Sequence, residues 1–114
     1  MLTIYHNPRC SKSRQTLTLI EENNQEVTIV EYLKTPLTQN DIEGLLSALD
    51  VSPIEMMRTK EAEFKEQALK GAPDETLIAA MVNTPKLIER PIVVKGDKAV
   101  IGRPPENVLT LINE

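Results

Sequence analysis

The sequence predicts an α/β fold, a four-stranded mixed sheet flanked by helices and interrupted by a helical segment over about 38–82. Three observations carry this expectation. Short runs rich in β-branched residues lie at 2–5, at 27–32 and at 91–101. A helical pattern separates the first two runs, which implies a right-handed crossover and a parallel pair. A tight turn divides the last run, which implies an antiparallel hairpin.

Leu2-Thr3-Ile4-Tyr5 reads as a strand that ends before the turn formers Asn7-Pro8. A helix is expected from about Ser11 to Glu22, with Leu17 and Ile20 inward and Asn23-Asn24 as its stop. Val27–Tyr32 reads as the second strand. Thr38 opens the next helix, with Asp41 three residues on as in a capping box. Ile42, Leu45, Leu46 and Leu49 follow as an amphipathic stripe. Ser52-Pro53-Ile54-Glu55 starts another helix, with Ser as N-cap, Pro at the first position and Glu at the third. Further helices are expected over about 60–69 and 74–82, the second with Leu77, Ile78, Met81 and Val82 inward. Pro91–Val94 and Ala99–Ile101 form the hairpin around Lys95-Gly96-Asp97-Lys98. Pro104-Pro105 leads into a last helix carrying Val108, Leu109 and Ile112. The order βαβ, helical block, ββα is the thioredoxin-like arrangement with an inserted helical segment.

Length and composition narrow the rest. A chain of 114 residues has material for one core, so a single domain over 1–114 is expected. With two Tyr, one Phe and no Trp, that core must be aliphatic. No run approaches the roughly 20 apolar residues that cross a bilayer, so no membrane partner is expected. The stretch Met1–His6 lacks the basic and long apolar regions of a signal peptide, which makes the cytoplasm the expected compartment. A net charge of −4 argues against nucleic acid as a partner. One Cys forms no internal disulfide, and with one His it makes no structural zinc site, so no metal is expected.

The single Cys is where chemistry is expected. Cys10 sits between a strand and a helix, where unpaired N–H groups and the helix dipole favour thiolate over thiol and can also receive an oxyanion. Ser11 and Ser13 offer hydroxyls, and His6, Lys12 and Arg14 lie close in sequence. The alternative is an inert buried thiol, which these polar and cationic neighbours disfavour. A tyrosine-phosphatase loop needs an Arg six positions after its Cys; here Arg14 follows after four, too soon to close it. Ser13 stands where a C-x-x-C motif has its second Cys. The site therefore has one cysteine, and any disulfide step takes its second thiol from elsewhere.

Four segments together carry a family resemblance. Tyr5-His6-Asn7-Pro8-Arg9-Cys10-Ser11-Lys12-Ser13-Arg14 resembles the signature of the glutaredoxin-dependent arsenate reductase family. Tyr32-Leu33-Lys34-Thr35-Pro36, Arg90-Pro91-Ile92-Val93-Val94 and Ile101-Gly102-Arg103-Pro104-Pro105-Glu106 resemble its other motifs, in the same order along the chain. Ser11-Lys12 and the length of 114 residues are closer to the family's short chromosomal members. The resemblance implies a thioredoxin-like fold with Cys10 as catalytic nucleophile. It also implies Arg58, Arg90 and Arg103 as oxyanion ligands, with Ser11 and Ser13 beside them. His6 would support ionisation of the Cys, and Pro91 would be a cis-proline opposite it. A guanidinium keeps its charge and forks onto tetrahedral oxyanions, so the arginines suit arsenate. The implied reaction reduces arsenate to arsenite through a Cys10 thiol–arsenate adduct, with glutathione and glutaredoxin as reductants, no bound cofactor and a monomeric protein. Two other readings stay open. One is a glutathione-dependent thiol-disulfide oxidoreductase acting on another substrate. The other is a redox-responsive regulator that binds RNA polymerase, although Ser13 removes the C-x-x-C switch such regulators often use.

Overall fold

β1 (Leu2–Tyr5) is one of two inner strands of a sheet in the order β2-β1-β3-β4. The computed structural model describes residues 2–113; Met1 and Glu114, which the expected 1–114 domain includes, lie outside the described residues. β1 runs parallel to β2 (Val27–Val30), with Ile4 beside Ile29, and antiparallel to β3 (Ile92–Lys95), with Ile4 opposite Val93. β3 turns back into β4 (Lys98–Ile101) through Gly96-Asp97, and Gly96 takes the φ of +64° that glycine accepts without strain. The chain divides into two compact units: residues up to Thr35 together with those from Arg90 onward, and Pro36–Glu89 between them in sequence.

In the first unit α1 (Ser11–Glu22) and α5 (Asn107–Ile112) pack together, and α5 also packs on β3 and β4. Alternation along β1 aims Leu2 and Ile4 at one face. They join Val93, Ile20 of α1, and Val108 and Leu111 of α5 in a buried cluster. As expected this core is aliphatic. The inward stripe of α1 differs from the expectation. Ser13, Thr16 and Ile20 are its buried residues, and Leu17 only flanks the cluster. The Thr16 hydroxyl is satisfied within the helix by donating to the Lys12 carbonyl at 2.8 Å.

β2 is shorter than the expected 27–32. The Lys34 and Thr35 N–H groups both fold back onto the Glu31 carbonyl at 2.9 Å, which turns the chain after Val30. Tyr32 is nonetheless buried. At the other end of this unit Gly102 donates its N–H to the Pro91 carbonyl at 2.9 Å. A Cβ at Gly102 would stand 2.6 Å from Thr16 Oγ1 and 2.8 Å from Pro91 Cγ. Lack of space, rather than backbone angle, demands glycine here.

The second unit is helical, with α2 (Gln39–Leu49) packed on α4 (Asp74–Asn83). The expected capping box closes α2: Asp41 N–H donates to Thr38 Oγ1 at 3.2 Å, and Thr38 N–H donates to Asp41 Oδ2 at 2.9 Å. The Ser52–Glu55 box is also present, but it starts only a 3-10 turn, Pro53–Met56. Met57 then becomes extended and bridges to Ile88, so that Arg58 N–H donates to Leu87 O at 2.7 Å and Glu89 N–H to Met56 O at 2.8 Å. These bonds claim the backbone groups that a longer helix would use. The helix expected over 60–69 contracts to α3 (Ala62–Glu66), because Ala68 adopts a φ of +53° and Leu69 N–H returns to the Phe64 carbonyl. In α4 Leu77, Ala80 and Met81 are buried, while Ile78 and Val82 are half-buried. Among the described residues no helix is long and apolar enough to cross a membrane.

Two glycines should respond oppositely to a methyl group. Gly102→Ala is expected to lower stability by about 1–3 kcal/mol through overpacking. Gly44→Ala, on α2 with nothing within 4 Å, should raise it by roughly 0.5–1 kcal/mol through helix propensity. Urea unfolding midpoints measure both, and an unchanged midpoint for Gly102→Ala would contradict the close approach.

Candidate active site

Cys10 is the N-cap residue of α1, with extended backbone angles of φ −92° and ψ 122°. The loop that carries it is tied down by its own backbone. His6 N–H extends the β1–β2 ladder to Val30 O at 2.8 Å, and Cys10 N–H closes a turn onto Asn7 O at 3.0 Å. Arg9 N–H donates to Asn7 Oδ1 at 3.0 Å, and Arg14 Nη1 donates to Pro8 O at 2.9 Å. The sulfur is thereby held, partly exposed, at the first turn of a helix.

Two arginines from the far end of the sequence are close by. Arg103 Nη2 donates to Cys10 Sγ at 3.4 Å, and its Nε donates to the Arg90 carbonyl at 2.8 Å. The peptide bonds Arg90–Pro91 and Arg103–Pro104 are both cis. Asn107 Nδ2 braces the segment from the other side, donating to Ile101 O at 3.2 Å and Arg103 O at 3.1 Å. The Arg90 Nε is buried and has no hydrogen-bond partner among the described residues. A buried guanidinium donor without an acceptor is costly unless something occupies it, and an anion would.

These groups set the ionisation of the thiol. Partial burial pushes the Cys10 pKa up. The Ser13 and Lys12 backbone N–H groups, then the Arg90 and Arg103 guanidiniums, push it down and prevail. Cys10 therefore lies below the ordinary thiol value.

His6 and Ser13 form a buried pair beneath the loop, with His6 Nδ1 2.6 Å from Ser13 Oγ. The same hydroxyl oxygen accepts Asn7 N–H at 3.1 Å. Burial lowers the His6 pKa, Glu31 raises it and Arg14 lowers it, with a net downward shift. The neutral form of the ring is therefore favoured near pH 7, with Nδ1 hydrogen-bonded to the Ser13 hydroxyl. Ser11, in contrast, is exposed at the surface of α1. Arg58 belongs to the helical unit, where its Nε lies 3.1 Å from Glu61 Oε1 and its Nη1 3.7 Å from Glu89 Oε1. Lys86 shares Glu61 at 3.6 Å. No group of three or more His, Cys, Asp or Glu that could hold a metal occurs among the described residues.

Residues 5–111 match the ArsC family. The chain belongs to the ArsC family. It is 53 % identical over 112 residues to an Escherichia coli protein described as uncharacterized protein YfgD, covering 96 % of this chain and 94 % of the other. It is 42 % identical over 112 residues to an arsenate reductase of Haemophilus influenzae, covering 96 % and 97 % of the two chains. The solved structure of an arsenate reductase from Vibrio cholerae superposes with a TM-score of 0.92 at 45 % identity, covering 96 % of this chain and 95 % of that one. The thioredoxin-like, four-stranded mixed sheet expected from the sequence is the fold of these ArsC relatives.

Several features of this ArsC-family site had no signature in the spacing of residues. The Arg90 carbonyl as anchor for Arg103 and the His6–Ser13 pair arise from tertiary contacts, and residue spacing does not mark the cis bond before Pro104 either. The one cue available was Gly102 directly before Arg103, a glycine where a strand leaves the sheet.

The alkylation rate of Cys10 should reach half its maximum below the free-thiol value of about 8.5. Arg103→Met should move that midpoint upward, since a cation 3.4 Å from the sulfur is lost. A midpoint of 8.5 in both proteins would contradict the electrostatic argument. A second outcome concerns His6. Its folded pKa is depressed, so the unfolded state takes the proton first as pH falls. Stability should be full above about pH 6.5 and decline below it. His6→Asn should flatten that slope in urea titrations at a series of pH values, and an equal slope in both proteins would refute the assignment.

Proposed function

We propose that this chain reduces arsenate to arsenite, with Cys10 as the nucleophile and glutathione and a glutaredoxin as reductants. The observation that carries the reading is a thiol favoured as thiolate at a helix start, 3.4 Å from the Arg103 guanidinium, with the buried Arg90 Nε lacking a partner. Thiolate and oxyanion donors at one place are what attack on a tetrahedral oxyanion needs. The names of the Haemophilus influenzae and Vibrio cholerae relatives support arsenate as that oxyanion. Arg58 is the third arginine of this reading by its place in the family pattern, and exposed Ser11 is its hydroxyl contact; the Ser13 hydroxyl, expected beside it, is buried against His6 and Asn7 and leaves only the Ser13 backbone N–H facing the sulfur.

In the first step the Cys10 thiolate attacks arsenic. An S–As bond forms, an As–O bond breaks, and the oxygen leaves as water after protonation. A glutathione thiolate then attacks the Cys10 sulfur. An S–S bond forms, the S–As bond breaks, and its electron pair stays on arsenic, which leaves as arsenite. Glutaredoxin resolves the mixed disulfide on Cys10 by thiol–disulfide exchange. Ser13 in place of a second cysteine supports this dependence on outside thiols. In this reading the protein acts as a monomer in the cytoplasm, where glutathione is kept reduced.

The test is NADPH oxidation in a coupled assay with arsenate, glutathione, glutaredoxin and its reductase. Cys10→Ser is expected to abolish turnover with the fold intact. Arg90→Lys and Arg103→Lys should each raise the KM for arsenate about tenfold, because the charge remains but the two-point fork is lost. Oxidation that needs only a disulfide substrate, and ignores arsenate, would refute the arsenate reading.

A further inference from the structure

An open groove of about 400 Å³ starts at the active-site loop and follows α1. Ser11, Arg14 and Gln15 line it, Glu22 lies at its far end, and Pro105 and Glu106 complete it. Both sets of residues lead back to the sulfur. Ser11 follows Cys10 directly, and Pro105 lies two residues beyond Arg103, whose Nη2 is 3.4 Å from Sγ. Arg14 is fixed at the thiol end by its Nη1 donating to Pro8 O at 2.9 Å, and the residue is otherwise exposed. Glu106 is likewise exposed, at the start of α5.

A guanidinium and a carboxylate in one groove complement an α-amino-acid terminus, which carries a carboxylate and an ammonium on one carbon. We propose that this groove binds the γ-glutamyl arm of glutathione, its α-carboxylate on Arg14 and its α-ammonium on Glu106, with its thiol directed at Cys10. The assignment rests on the reading of Cys10 as a nucleophile that takes its second thiol from glutathione. Distances along the helix agree with it. From the thiol to the α-carbon of the arm is roughly two residue lengths, or about 7 Å. Ser11 to Gln15 spans about 6 Å of helix, whereas Glu22 lies about 16 Å from Ser11, beyond the arm's reach. The volume suits a small peptide.

The test needs no arsenate. Full-length reduced protein is mixed with glutathione disulfide or with the neutral bis(2-hydroxyethyl) disulfide, and the mixed disulfide on Cys10 is followed by mass spectrometry. In each case the Cys10 thiolate forms one S–S bond as the reagent's S–S bond breaks and releases a thiolate. The readout is the ratio of the two rate constants, in which changes of thiolate reactivity cancel. The unchanged protein should prefer glutathione disulfide. Arg14→Glu should cut the ratio about tenfold, and Glu106→Gln, at an exposed position, about threefold. An equal ratio in all three proteins overturns the proposal. So does a ratio that stays put while glutaredoxin removes glutathione from Cys10 more slowly in the variants, because the groove would then dock a protein. Loss of arsenate-dependent turnover with the ratio intact would refute the arsenate reading alone. Arsenate turnover without the preference would refute the groove alone.

Discussion

The contact between Arg103 and Cys10 joins the two ends of the sequence, and much of the sheet unit is arranged to allow it. A guanidinium 3.4 Å from a sulfur stabilises the thiolate only if neither group can drift away. On the Cys10 side, the segment from Asn7 to Arg14 is held by hydrogen bonds of its own backbone and of the Asn7, Ser13 and Arg14 side chains. On the Arg103 side, Nε is anchored to Arg90 O, and Asn107 holds the carbonyls of Ile101 and Arg103. Between them Gly102 passes against Thr16 and Pro91 with no room for a side chain. The glycine is therefore part of the electrostatics, since it sets how near the cation comes to the helix that carries the sulfur.

The opposing force is desolvation. Burial alone would keep Cys10 protonated, and it is the largest single influence on the group. The helix N–H groups of Ser13 and Lys12 answer it first, and the two arginines add to them. Ser13 has a part in both. Its N–H favours the thiolate, while its hydroxyl is fixed by Asn7 and the neutral His6. A histidine in that place influences the sulfur through the orientation of the first helical turn rather than through charge.

Local chemistry was legible in the sequence, and long-range chemistry was not. Both capping boxes, the hairpin turn at Gly96, the parallel pair and the position of Cys10 at a helix start follow from residues a few positions apart. The 3-10 turn at Pro53 differs from expectation because Ile88, thirty-one residues away, bridges to Met57 and takes its backbone out of the helix. Arg58 shows the same split. Its partner Glu61 is readable at i+3, but Glu89 reaches it only through that bridge. The polar inner face of α1 was hidden too, since Leu17 and Ile20 are the expected inward residues, whereas Ser13 and Thr16 are buried with His6 and Gly102 placed against them.

Ser13 also bears on why the site has a single sulfur. Its side chain is fully buried and engaged on both sides, by Asn7 N–H and by His6 Nδ1. A thiol there would be a weaker donor and acceptor, so it would leave a buried imidazole nitrogen and a backbone N–H poorly satisfied. It would also place a second sulfur within one helical turn of Cys10, where an internal disulfide competes with every outside thiol. Serine removes that competition while satisfying the two partners. In the proposed cycle an adduct on Cys10 would then persist until a separate thiol arrives, so the lifetime of that intermediate would be set by access to the sulfur from outside.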